Sequence, residues 1–422
     1  MRSCREALLI GAIGKAGVRL VASFVVALAL SACATAPKPT TATPAAQRPP
    51  KLALSAASFS DIKAWSQIDA GPALAAFRRS CKVVAQRAPE APFSSSAKYG
   101  GAVQDWMPVC ATAMATSDSD ARMFFEKNFT PYQVGDEGDG LKKLTGYYEP
   151  VLAARRAPEP GFETPIYGRP DDLLQIDLGA FAKAYKSPVD TNLKGQIVGK
   201  LDGKRVVPYP ARAERPAESA KVLAFAHPAD VYDLQVQGSA RLTFPDGPPV
   251  RAAYSVANGW KWKSIYGVLR DQNQIPADQL NKAAVKAWMN QAGPNATRAV
   301  MNQDPSEVFF SIEEIPDPSI GPKGAQGVPL TADGSVAVDP AFHPYGGLLV
   351  LDAQGPDAAL NQGPFSRLVV AQDTGGAIRR GPLRGDFFFG TGDDAGQKAQ
   401  RMNAPAKMWT LLPNLNAAVL KD

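Results

Sequence analysis

The sequence predicts an α+β fold weighted toward β, and three features of its patterning point there. Apolar residues recur at three- and four-residue spacing from about 59 to 129. Short alternating runs broken by glycine and proline take over after Pro131. A single helical island, from about 262 to 308, interrupts this second half. Helices first and short strands afterwards is the order of an α+β chain, and 422 residues suffice for two domains or one domain with an insertion.

The N-terminus carries Arg2, Arg5, Lys15 and Arg19, then an uncharged stretch from Leu20 to Leu30 that closes on Leu30-Ser31-Ala32-Cys33. An apolar run of about eleven residues is too short to span a bilayer, which needs about twenty, and reads as a cleaved signal peptide over 1–32. The small residues before Cys33 have the form of a lipobox, in which the cysteine is acylated and becomes the new N-terminus. Ala34 follows the cysteine, as in lipoproteins carried to the periplasmic face of an outer membrane. Residues 33–52 are rich in proline, alanine and threonine and predict a lipid-anchored tether, since they cannot bury a core.

From 59 to 129 the spacing predicts helices, as in Ala121-Arg-Met-Phe-Phe-Glu-Lys-Asn-Phe129. Cys81 and Cys110 both sit in this region, and an exported chain with two remaining cysteines is readable as carrying one disulfide; two buried free thiols are the alternative. Strands are predicted at Ser335–Asp339, Gly347–Asp352 and Arg367–Ala371. The formal charge of +6 falls to about +3 once the first 32 residues are set aside, with no clustered basic footprint, which argues against nucleic acid.

The chemistry is narrowed by what the sequence lacks. It has no phosphate-loop motif, no Gly-x-Ser-x-Gly elbow and no His-Glu-x-x-His. The two histidines, His227 and His343, lie near no cysteine or carboxylate pair at ligand spacing, so neither a metal nor a cofactor is expected. Carboxylates remain. Asp373 ends an apolar strand, Asp386 begins an aromatic one (Phe387 to Phe389), and a glycine-rich turn including Gly376 joins them. Glycines there permit positive φ and close approach of a ligand. A carboxylic acid near a second carboxylate and against phenyl rings has its pKa raised, which is what a general acid for glycosidic cleavage needs. The same aspartates would also serve as turn residues bonding their own backbone.

Five separated motifs carry a family resemblance. They are Leu144-Thr-Gly-Tyr-Tyr-Glu-Pro150, Leu234-Gln-Val-Gln-Gly-Ser239, Met301-Asn-Gln-Asp-Pro-Ser-Glu-Val-Phe-Phe310, Val328-Pro-Leu-Thr331 with Ala337-Val-Asp339, and the block from Asp373 to Gly390. In these the chain resembles the membrane-bound lytic murein transglycosylases of the A family, with their C-terminal 3D segment. The resemblance implies a double-psi β-barrel domain over 53–150 plus 321–414. It also implies a β-rich substrate-binding domain inserted at 151–320, and a glycan groove between the two. It places the single acid/base on Asp386 and a supporting aspartate on Asp373, with Tyr147, Tyr148, Gln235 and Gln237 lining sugar subsites. Tyr147 and Tyr148 are adjacent in a strand and point to opposite faces, so at most one lines the groove directly. Ser264-Ile-Tyr-Gly267 departs from the family's pattern, while both aspartates of the last block are intact.

The expected activity is cleavage of the β-1,4 bond between MurNAc and GlcNAc in peptidoglycan with formation of 1,6-anhydroMurNAc, by a monomer. A glycoside hydrolase on wall polysaccharide is one rival; a non-catalytic wall-binding lipoprotein is the other.

Overall fold

The computed structural model describes residues 48–185, 196–354 and 364–414. The signal peptide, Cys33 and residues 34–47 of the tether lie outside the described residues. From Arg48 onward the chain is docked: Arg48 pairs with Asp139, Lys51 with Glu137, and a strand already begins at Leu52. The expected tether boundary at 52 therefore falls inside structured chain.

In order, the elements are β1 (Leu52–Ala56), α1 (Gly71–Val84), α2 (Val103–Ala115), α3 (Ala121–Asn128), β2 (Phe129–Asp136) and β3 (Lys143–Glu149). Then come β4 (Val151–Ala153), β5 (Thr164–Tyr167), β6 (Leu174–Asp177), α4 (Leu178–Tyr185), β7 (Gln196–Asp202), β8 (Arg205–Pro208) and β9 (Val222–Ala226). They are followed by α5 (Pro228–Gln237), β10 (Ser239–Thr243), β11 (Val250–Ala257), α6 (Ile265–Asp271), α7 (Lys282–Met301) and β12 (Val308–Glu314). The chain closes with β13 (Ser335–Val338), β14 (Leu348–Gln354), β15 (Pro364–Asp373), β16 (Arg384–Thr391), α8 (Asp393–Arg401), β17 (Asn403–Ala404) and β18 (Ala406–Pro413). The fold is mixed α+β with strands predominating.

A nine-stranded sheet, ordered β1-β2-β18-β14-β15-β13-β16-β3-β17, organises the first and last thirds of the chain. Strand β14 explains how it is buried. Leu348 and Val350 face the cluster built by α1, α2 and α3, while Leu349 and Leu351 face a second cluster with Phe365, Phe387 and α8. A strand covered on both faces reads as a continuous apolar run instead of an alternating one, and Leu348-Leu-Val-Leu351 does so. Against the helical face, Trp106 stacks on Phe93 with centroids 4.1 Å apart, and a Cys81–Cys110 disulfide joins α1 to α2.

The chain between β3 and β13 builds a four-stranded sheet (β12-β11-β10-β4), a two-stranded and a three-stranded sheet, with α4 to α7. The strand reading after Pro131 is corrected here, since α4, α5 and α8 lie outside the predicted island. Helix α5 carries standard stop and start signals: Pro228 in its first turn, His227 accepting from Ala229 N–H, and Gly238 at φ 82° as its cap. Its ten residues are too few, and its buried face too broad, for periodicity alone to reveal it. The predicted island appears as α6 and α7, the latter kinked at Gly293 (φ 78°) and Pro294.

One buried ionic cluster pins the two crossings between the large sheet and the intervening chain. Glu149, fully buried at the end of β3, accepts from Arg241 at 2.8 Å and Arg251 at 2.6 Å. Both arginines also donate to Ile320 O, where the chain returns.

Candidate active site

The site is written on one face of three neighbouring strands and β3. In register, Ala337 of β13 stands opposite Asp373 of β15 on one side and Asp386 of β16 on the other. Asp386 in turn pairs with Thr145 of β3, and Phe388 with Tyr147. Phe387 and Phe389 point into the second core cluster, so the pleat turns Asp386 and Phe388 to the opposite face. The two carboxylates belong to strands that are not adjacent. They are separated by β13, whose Ala337 stands between them in register.

Asp386 is half-buried, and its Oδ1 accepts a hydrogen bond from Thr145 Oγ1 at 2.6 Å. Arg384, two residues earlier and buried, donates through Nη2 to the same Thr145 oxygen at 2.8 Å. Burial pushes the Asp386 carboxyl up from 3.8 to about 6; Thr145 and Arg384 oppose that rise and Asp373 adds to it. Asp373 is engaged at both oxygens: Tyr147 O–H donates to Oδ2 at 3.0 Å and Ala325 N–H to Oδ1 at 2.9 Å. Burial raises its pKa too, against donors on Thr374, Ala325 and Tyr147 that favour the anion. Burial, with Asp373 and Asp386 nearby, holds the Tyr147 hydroxyl well above its ordinary value, so it stays a donor.

The tyrosines separate as the pleat requires. Tyr147 joins the carboxylates and packs on Phe388, with rings 5.2 Å apart. Tyr148 is buried on the other face and donates to Asp233 Oδ2 of α5 at 2.7 Å. Gln237 serves that junction, accepting from Tyr148 N–H at 3.2 Å. Gln235 lies in a different cluster, where its Oε1 accepts from Arg212 at 2.6 Å; Arg212 also pairs with Asp304, and Arg215 with Glu307. Gly376 is exposed in the turn after β15, with nothing within 4 Å of where a Cβ would stand. The left-handed positions near the loop are Gly381, Gly390 and Gly392, and neither Gly375 nor Gly376 is among them. At Gly381 the φ of 131° and a backbone neighbour, Gly140, 3.1 Å from an added Cβ do require glycine. Both histidines are structural: His343 bonds Tyr99 and Pro382 O, and His227 bonds Asn290.

Thr145, Arg384 and Ala325 were not singled out in the sequence. A signal existed for the first two, since Thr145 and Tyr147 share a face at a spacing of two, as do Arg384 and Asp386. Ala325 contributes a backbone N–H, which no side-chain pattern reports.

Comparison with known proteins decides the family. Residues 143–311 match the MltA specific insert domain and residues 334–412 match the 3D domain. The chain belongs to the membrane-bound lytic murein transglycosylase A family. A lytic transglycosylase of Burkholderia pseudomallei, LtgG, is 31% identical, with 87% of this chain and 98% of that one covered and a TM-score of 0.56. MltA of Neisseria gonorrhoeae is 28% identical over 88% of this chain and 96% of that chain, with a TM-score of 0.70. The membrane-bound lytic murein transglycosylase A of Escherichia coli is 28% identical over 76% of this chain and 77% of its own length. The chain is a peptidoglycan lytic transglycosylase. No helix among the described residues is long and apolar enough to cross a membrane.

Proposed function

We propose that this enzyme cleaves the β-1,4 bond between MurNAc and GlcNAc with Asp386 as its single acid/base. The observation that carries the assignment is the unequal bonding of the two carboxylates. Asp373 receives donors at both oxygens, which favour its anion against the burial that raises its pKa. Asp386 receives one, at Oδ1, and its raised pKa keeps a large protonated fraction near pH 6.

The proton of Asp386 goes to the glycosidic oxygen as the bond to the MurNAc anomeric carbon breaks. The MurNAc C6 hydroxyl attacks that carbon and returns its own proton to Asp386, closing a 1,6-anhydro ring and restoring the acid. An intramolecular nucleophile needs no second carboxylate to activate water, unlike ordinary glycoside hydrolysis. Asp373 then acts through its charge, raising Asp386 and stabilising positive charge at the anomeric carbon. Tyr147 and Phe388 supply an aromatic wall on the same face, suited to the apolar faces of sugars. Gly376 offers open backbone at the rim, and Gln235, Gln237 and Tyr148 hold the neighbouring inserted region in place.

On this reading the nine-stranded sheet is the family's double-psi barrel, supported by the parallel pairing of β13 with β15 and of β16 with β3. The inserted domain forms the other wall of a glycan groove. Cys33 is the lipid anchor, holding a monomer at the periplasmic face of the outer membrane. The test is digestion of purified peptidoglycan by the wild-type protein and by Asp386→Asn, with mass spectrometry of the soluble products. Anhydro-terminated fragments from wild type and none from the variant are expected. Release of the same fragments by Asp386→Asn would remove Asp386 from its role.

A further inference from the structure

Resting on that reading, we infer that Thr145 and Arg384 are positioning residues that confine the acid proton of Asp386 to its Oδ2 oxygen. A threonine hydroxyl has one hydrogen to donate, and an arginine can only donate. Arg384 Nη2 donates to Thr145 Oγ1 and occupies one of its lone pairs, while Thr145 Oγ1 donates its single hydrogen to Asp386 Oδ1, 2.6 Å away. An acid proton placed on Oδ1 would face that hydrogen. It therefore resides on Oδ2, the oxygen left for substrate, and the same oxygen receives the C6 proton afterwards.

The burial of Arg384 supports the assignment independently. Its side chain bonds Lys143 O at 3.2 Å and Gly385 O, but its Nε has no hydrogen-bond partner and is the one buried side-chain polar atom so left among the described residues. Sequestering a guanidinium is costly, and an unpartnered N–H adds to that cost. Stability gives no reason for it, whereas a fixed hydrogen-bond direction on the acid does. The groups that act on Asp386 come from four elements: Thr145 and Tyr147 from β3, Asp373 from β15 and Arg384 from β16 itself, while β13 contributes the uncharged Ala337; Arg380, in the preceding loop, acts on Arg384.

The test compares wild type with Thr145→Val, which keeps shape and loses the hydroxyl, and with Thr145→Ser, which restores it. Carbon NMR of protein labelled at aspartate carboxyls follows the Asp386 titration without substrate. Loss of one charge-stabilising hydrogen bond is expected to move its midpoint upward in Thr145→Val, by about one pH unit. Steady-state cleavage should show kcat reduced by about ten- to a hundred-fold with KM nearly unchanged. Thr145→Ser should return both toward wild type. An unmoved midpoint in a folded Thr145→Val protein overturns the inference, as does equal impairment of the valine and serine variants. A wild-type protein that cuts no glycan, with the midpoint still moved upward in Thr145→Val, would instead overturn the proposed reaction and keep the clamp.

Discussion

Asp386→Asn is expected to stabilise the protein while removing its activity. The Asp386 carboxyl stands at about 6 in the folded chain against 3.8 ordinarily, so the folded state binds this proton more tightly than the unfolded state. The sign follows from that difference. Above pH 6 the folded state bears the full cost of an ionised, poorly solvated carboxylate; the cost fades as pH falls through 6 and vanishes below 3.8. At 1.36 kcal/mol per pH unit the ceiling is about 3 kcal/mol, and the solvent-reachable edge of Asp386 reduces the expected gain to about 2 kcal/mol. Asparagine carries no such cost, and its Oδ1 still accepts from Thr145. Urea unfolding of both proteins at pH 7.5 and near pH 4 is the assay. The variant should be the more stable by about 2 kcal/mol at the higher pH, with the gap falling below about 1 kcal/mol at the lower. A gap independent of pH, or a variant less stable at pH 7.5, would mean that the ionised Asp386 carboxylate carries no such cost.

Three other perturbations test separate parts of the account. Removing the charge of Asp373 with Asp373→Asn takes away one of the influences that raise Asp386, so the loss of activity with rising pH should set in at lower pH; a pH–rate profile measures it. Glu149→Gln leaves Arg241 and Arg251 buried without their counter-charge and should cost about 3–5 kcal/mol in a denaturant titration. Replacing Cys81 and Cys110 by serine opens a loop of 29 residues and should lower stability by about 3–4 kcal/mol, read as a lowered Tm.

Much of the fold was legible because burial leaves periodic marks. The helices carrying Cys81 and Cys110, and the strands β13, β14 and β15, follow directly from spacing. Helix α5 did not, because a ten-residue helix packed against α7 and the strands β3, β5 and β10 has few exposed positions to set its period. At the site, Asp373 and Asp386 stood out as polar residues ending and beginning apolar strands. Their relation did not: they flank β13, whose residues lie 35 or more positions earlier than Asp373, and such register is invisible to local pattern. Thr145 illustrates the same limit, being bonded to a carboxylate 241 residues away. Gln235 and Gln237 carried the right chemistry for sugars, yet both side chains hold protein partners, Arg212 in one case and Tyr148 in the other.

In the proposed reaction an internal hydroxyl, and not water, attacks the anomeric carbon while Asp386 moves the proton. Digestion of peptidoglycan in water enriched in the heavy oxygen isotope measures this directly, with product masses compared against digestion in ordinary water. Anhydro-terminated fragments of identical mass in both solvents are expected. Fragments ending in a reducing sugar that has taken up one heavy oxygen would make the reaction a hydrolysis.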